Sequence, residues 1–67
     1  MTILVNDRQL SLPADIHSLK DFTDWKSIPN QGTAIALNGK LVKAENWAAT
    51  ALSEFDNLLI ISAAYGG

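Results

Sequence analysis

The chain closes on Ala63-Ala64-Tyr65-Gly66-Gly67, and the chemistry there belongs to the backbone: a carboxylate carried on two residues without Cβ atoms. Glycine takes φ values closed to other residues, so the pair fits a slot too narrow for side chains. Such a tail suits an enzyme that must reach the terminal carboxylate while the folded body stays outside. Nothing in the packing of the preceding apolar run Leu58-Leu59-Ile60-Ile61 calls for two glycines. A frayed end is the competing reading, since termini tolerate change, and the residues upstream have to decide between the two.

The remaining side chains offer no reaction centre. His17 is the only histidine and there is no cysteine, so a metal site lacks its usual ligands, and His17 reads as a surface or capping residue. Asp7, Asp21, Asp24 and Asp56 form no pair for acid-base work. Asp15 reads as a helix cap, and Trp25 and Trp47 read as core plugs. Without a nucleophile and base to quote, an enzyme is not expected. Five Lys and Arg against seven Asp and Glu give a net charge of −2, and the cations are dispersed at Arg8, Lys20, Lys26, Lys40 and Lys43. A nucleic-acid partner, which requires a clustered basic face, is not expected. Nor does any apolar stretch approach the roughly 20 residues that span a bilayer. The expectation is a soluble cytoplasmic protein, one domain over residues 1–67, with 63–67 as a flexible C-terminal tail.

Ile3-Leu4-Val5 and Gln9-Leu10-Ser11-Leu12 read as two strands joined by a tight turn at Asn6-Asp7-Arg8, and Pro13 ends the second. Asp15 stands where an N-cap is wanted. Ile16, Leu19 and Phe22 then recur at helical spacing, which predicts one helix of about ten residues with Trp25 extending its apolar stripe. Pro29-Asn30-Gln31-Gly32 is a loop. Thr33–Leu37 forms a third strand, with Ile35 and Leu37 on one face and Ala34 and Ala36 on the other. Asn38-Gly39 favours a type I′ turn, so Leu41-Val42 returns as a fourth strand. Residues 44–52 form a turn or short helix that carries Trp47 inward, and Ser53-Glu54-Phe55-Asp56 is a polar connection anchored by Phe55. Leu58–Ile61 suits a strand in the middle of a sheet. The order β-β-α-β-β-β fits an α+β β-grasp, or ubiquitin-like, fold, in which a mixed sheet curls around one main helix and the first strand pairs in parallel with the last. A ferredoxin-like arrangement would need a second full helix. The expected interior joins Leu4, Leu19, Phe22, Ile35, Leu37 and Trp47.

Ile3-Leu4-Val5-Asn6, Ile16-His17-Ser18-Leu19, Ala36-Leu37-Asn38-Gly39-Lys40-Leu41-Val42, Trp47 and the terminal Gly66-Gly67 occur here in an order that resembles the ThiS family, the small sulfur carriers of thiamine biosynthesis. The resemblance runs the length of the chain. It departs at Lys43-Ala44, where Pro-Arg is common, at Phe55, where Gly is common, and at Tyr65, which adds bulk where Ala commonly precedes the glycines. What it implies is chemistry at Gly67. A carboxylate repels nucleophiles and has no good leaving group, so it must first be activated. An adenylating enzyme of the ubiquitin-activating type would join it to AMP, using ATP and Mg²⁺ that the carrier does not itself retain. A sulfur donor, a cysteine desulfurase or sulfurtransferase system, would displace AMP and leave a thiocarboxylate, which thiazole synthase would consume. Gly66 and Tyr65 would be read as the tail enters the enzyme. The small subunit of molybdopterin synthase and a ubiquitin-like modifier or interaction module share the body and tail, and stand as alternatives.

One helix covers only one face of a sheet, so half of Leu58–Ile61 must meet solvent or a partner. Placing the strand by its distance from Gly66-Gly67, as in the ubiquitin-like fold, turns Leu58 and Ile60 inward and Leu59 and Ile61 outward. Beside Ala34 and Ala36 the outward pair would form a flat apolar docking patch. Cover from the chain between Ala44 and Phe55 is the alternative.

Overall fold

Two hairpins and a central strand generate the architecture. The computed structural model describes residues 1–62; the expected tail, 63–67, lies outside the described residues. Strand β1, Thr2–Val5, pairs antiparallel with β2, Arg8–Ser11. Their connection carries Asn6 at φ 50° and Asp7 at φ 69°, the left-handed pair that a two-residue type I′ turn requires. The second hairpin joins β3, Thr33–Leu37, to β4, Lys40–Val42, through Asn38 at φ 51° and Gly39 at φ 87°. Strand β5, Asn57–Ser62, lies between the hairpins, parallel to β1 and antiparallel to β3, in the order β2-β1-β5-β3-β4. This is the expected β-grasp sheet, with the last strand at its centre.

Helix α1, Leu19–Trp25, crosses one face of the sheet. Its N-cap is Ser18, not Asp15. The Ser18 hydroxyl accepts from the Asp21 N–H while the Asp21 carboxylate accepts from the Ser18 N–H, both at 3.0 Å, a reciprocal capping box. The chain before it is held in a turn by the Ile16 N–H to the Pro13 carbonyl at 3.1 Å. The helix therefore has seven residues rather than ten, and Ile16 is buried in the connection ahead of it.

The inward arc of α1 is centred on Leu19, Phe22 and Thr23. Leu19, Phe22 and Thr23 are buried, whereas Trp25 is 41% exposed, two residues past Thr23 and so rotated to the flank. The sequence-based placement of Trp25 in the core is thus corrected. Its ring lies tilted against Phe22, centroids 6.2 Å apart, beneath the Lys26 ammonium at 5.2 Å. Trp47 does plug the core, carried inward by a 3₁₀ helix over Ala44–Ala49, and its indole N–H donates to the Val42 carbonyl at 3.0 Å.

The core gathers Ile3, Leu12, Ile16, Leu19, Phe22, Ile35, Trp47, Leu52 and Leu58. From β1 it takes Ile3, fully buried, in place of Leu4. The pairing of Val5 with Leu58 sets the parity: side chains alternate along a strand, so Ile3 and Val5 face inward with Leu58 and Leu4 faces out. Phe55 is no anchor either. It is 62% exposed at φ 64°, held in that rarely populated conformation by its N–H to the Thr2 carbonyl and by the neighbouring Asp56 N–H to the Ser53 carbonyl. Every buried side-chain nitrogen and oxygen among the described residues has a partner, and no helix there is long and apolar enough to cross a membrane.

Two expectations follow. Leu19→Ala, at a fully buried position, should lower unfolding stability by about 2–5 kcal/mol, measured by urea denaturation; a loss below about 0.5 kcal/mol would contradict the packing of the helix. The second concerns acid. Asp21 is held below its ordinary value near 3.8 by the N–H groups of His17 and Ser18, so its stabilisation is complete above that value and disappears as pH falls through the lower folded-state value. The stability gap between wild type and Asp21→Asn should be open at about pH 6 and close towards about pH 2. A gap independent of pH would show that the carboxylate's charge contributes nothing.

Candidate functional site

Alternation along a central strand leaves one side chain in two on the face that the helix does not reach. On β5, Leu58 is fully buried and Ile60 packs against the core. Leu59 and Ile61 point the other way, 49% and 56% exposed. Register places Ala36 opposite Leu59 and Ala34 opposite Ile61, so all four residues lie on the outward face, where the sequence places them. The chain between Ala44 and Phe55 does not cover Leu59 or Ile61.

Leu41 enlarges the surface. It pairs with Ala36 across the second hairpin and is 69% exposed, completing a row Leu41-Ala36-Leu59 over three strands. The signal for it is present in the two-residue turn: Asn38-Gly39 makes Leu37 face Lys40, and hence Ala36 face Leu41. The two alanines keep the relief low between the larger side chains. A depression of about 280 Å³ opens around Leu59, lined by Asp7, Ala36, Gly39 and Asn57. The surface is therefore apolar in the middle with carboxylate and amide groups at one edge, the composition of a docking site's core and rim.

Asparagines fix both ends of the strand that carries this surface. Near its start the Asn38 carboxamide donates to Asp56 Oδ1 at 3.0 Å and accepts from the Asn57 N–H at 2.9 Å. The other Asp56 oxygen accepts from the Ser53 N–H at 2.7 Å. Farther along, Asn6 Oδ1 accepts from the Ile60 N–H at 2.8 Å and its Nδ2 lies 3.4 Å from the Ile60 carbonyl. Read as turn residues, Asn6 and Asn38 hide this second role, because the strand they hold lies 54 and 19 positions away in sequence.

The opposite side of the molecule carries another depression, between α1 and the 3₁₀ helix, with Lys20, Thr23, Asp24 and Trp47 among its walls. Lys20 and Asp24 are paired with each other there, and the Thr23 hydroxyl donates to the Lys20 carbonyl at 3.0 Å. His17 is exposed, with its N–H on Asp21 and its carbonyl accepting from Leu52. Among the described residues no three His, Cys, Asp or Glu side chains gather as metal ligands. Gly67, Gly66 and Tyr65, the sequence-predicted tail residues, lie outside the described residues.

Comparison with known proteins adds to this geometry. The fold superposes on the crystal structure of the thiamine biosynthesis protein ThiS from Geobacter metallireducens with a TM-score of 0.82 over 100% of both chains at 17% identity, a likeness of fold. No curated protein sequence matches the chain. The family model for the ThiS family matches residues 2–67, a span that includes the candidate surface and the two terminal glycines, and the chain accordingly belongs to the ThiS family.

Proposed function

We propose that this protein is a sulfur carrier in thiamine biosynthesis whose working atom is the carbonyl carbon of Gly67. Membership of the ThiS family supports the carrier role. The observation that carries the reading is the placement of Leu59 and Ile61, exposed on the central strand that immediately precedes the tail in sequence. A docking surface there holds the body while residues 63–67 extend up to roughly 16 Å, at about 3.3 Å per residue, into a partner's active site.

In the first partner, an adenylating enzyme of the ubiquitin-activating type, a Gly67 carboxylate oxygen attacks the α-phosphorus of Mg²⁺-bound ATP and pyrophosphate leaves. The product is an acyl adenylate, whose carbonyl now has AMP as a leaving group. The terminal sulfur of a persulfide on a cysteine desulfurase or sulfurtransferase attacks that carbon and AMP departs, leaving an acyl disulfide. A thiol then attacks the donor-side sulfur of that S–S bond, is itself oxidised to a disulfide with the donor, and leaves the terminus as a thiocarboxylate. Thiazole synthase, the second partner, takes the sulfur into the thiazole ring and returns the carboxylate. The carrier supplies recognition and reach; ATP and Mg²⁺ belong to the activating enzyme.

Intact mass spectrometry of the native protein separates the readings. A carrier gains the mass difference of sulfur for oxygen, whereas a protein modifier gains the mass of a whole partner. Dependence of that loading on the thiazole or the molybdopterin pathway then separates the two carrier classes. Deleting Gly67 or adding one residue after it should abolish AMP transfer with the fold unchanged, since the reactive carbon is displaced by one residue, about 3.3 Å; sulfur loading at the wild-type level in either variant would refute the assignment.

The surface is tested separately. Leu59→Asp and Ile61→Asp should each cost about 1 kcal/mol or less in stability, the span of β-sheet propensity at a solvent-facing position. Each should weaken binding to the activating enzyme at least about tenfold, as expected when an apolar side chain at an interface centre is replaced by a carboxylate. Unchanged affinity in both variants would place the docking surface elsewhere.

A further inference from the structure

β1 supports β5 for only two paired positions, Leu4 with Asn57 and Val5 with Leu58, before it turns away at Asn6-Asp7. The last backbone bond of that parallel ladder runs from the Asn6 N–H to the Leu58 carbonyl at 2.9 Å. Two residues on, the Ile60 N–H and C=O face the same side, and the peptide groups that a longer β1 would bring there are missing. The Asn6 carboxamide stands in their place, its Oδ1 taking the Ile60 N–H at 2.8 Å and its Nδ2 approaching the Ile60 carbonyl at 3.4 Å. A side-chain amide has one donor and one acceptor edge like a peptide, so the ladder is continued by one unit without any further strand.

The location gives this clamp a consequence. Ile60 lies between the two outward residues of the candidate surface, Leu59 and Ile61, and two residues before the last described position, Ser62. Past the clamp, β5 is paired only with β3, through Ala34–Ile61 and Thr33–Ser62. We propose that Asn6 is a positioning residue for the terminal carboxylate: its carboxamide fixes the point from which the tail departs relative to the docking surface, so that a body seated through Leu59 and Ile61 delivers Gly67 at the correct reach and angle. This rests on the carrier reading above. The positive φ of Asn6 is part of the device, because the left-handed turn aims the side chain back along β5 rather than away from it.

The proposal separates from a merely stabilising role by where and how the removal of the clamp shows. Asn6→Gly keeps the turn conformation and removes the carboxamide. Hydrogen exchange on the free protein should show the Ile60 amide, with Ile61 and Ser62, exchanging about tenfold faster relative to Leu58 and Ile35, the size expected when one or two hydrogen bonds are removed. With the activating enzyme, AMP transfer should fall about tenfold in kcat while KM stays within about twofold, since docking is retained and only the placement of the reacting carboxylate is degraded. Ser18→Ala, which loosens the helix cap on the other face and leaves the clamp intact, is the control; at a comparable fall in Tm it should leave kcat unchanged. Should Asn6→Gly fail to fold, Asn6→Asp, which keeps an acceptor for the Ile60 N–H and removes the donor, should show the same pattern at smaller size. Unchanged Ile60 exchange, or a kcat no lower than that of Ser18→Ala, would overturn the proposal. Failure of the wild-type protein to accept AMP would instead refute the carrier reading, with the clamp still judged by exchange.

Discussion

A seven-residue helix and a short 3₁₀ helix can cover one face of a five-stranded sheet and no more. This limit of coverage organises the rest. On the covered side Ile3, Ile35 and Leu58 from three neighbouring strands meet Leu19, Phe22 and Trp47, each at most 2% exposed. The uncovered side must then solve a different problem with the same strands, because strict alternation sends every second residue of the central strand outward whatever its chemistry. At the β2 edge such positions are polar, Gln9 and Ser11. Past Asn57 they are apolar: Leu59 and Ile61 on β5, Ala34 and Ala36 on β3, and Leu41 on β4. A contiguous apolar surface on a small protein is the usual mark of an interaction site.

The same limit explains the load placed on the two type I′ turns. A central strand flanked by short partners needs its ends secured, and each hairpin turn presents an asparagine that does so from the side: Asn38 at the entry to β5 and Asn6 near its exit. Asparagine is suited to both tasks at once. It tolerates the left-handed backbone better than other residues with a Cβ, and its carboxamide can donate and accept in one plane. The turn chemistry and the anchoring chemistry thus select the same residue.

Most of the architecture is legible in the sequence because local signals are strong and agree. Asn38-Gly39 marks a hairpin, Pro13 and Pro29 mark ends, and the alternation in Thr33–Leu37 divides large from small side chains. Sequence reasoning errs where a local pattern is silent. Ile3-Leu4-Val5 is apolar throughout, so its inward phase is decided by pairing with Leu58, more than fifty positions away, and a reading confined to the segment puts Leu4 on the wrong side. Asp15 and Ser18 are both good caps, and the Ser18-x-x-Asp21 spacing contains the deciding information; extending the i, i+3 run from Leu19 and Phe22 to Trp25 puts that ring in a core it does not join, because each step of three falls about 60° short of a full turn. Phe55 shows that an apolar side chain in a connection carries no statement about burial. The outward pair on β5 is placed by likeness to the ubiquitin-like fold, since the run is apolar throughout, whereas the Asn6 hydrogen bonds, being long-range and made by a side chain, leave no mark on the sequence pattern.

Strands β1 and β5 are the first and last in chain order yet lie adjacent and parallel in the sheet, while β3 grips the other edge of β5 in the antiparallel sense. A pull applied at Ser62 along the axis of β5 is directed across its hydrogen bonds to β3 and, farther back, to β1. Bonds loaded in that direction share the force, whereas bonds at a peeled edge fail one after another. Tension applied along β5 at Ser62 is thus met first by its pairing with β3 and then, from Ile60 back, by hydrogen bonds on both sides of the strand.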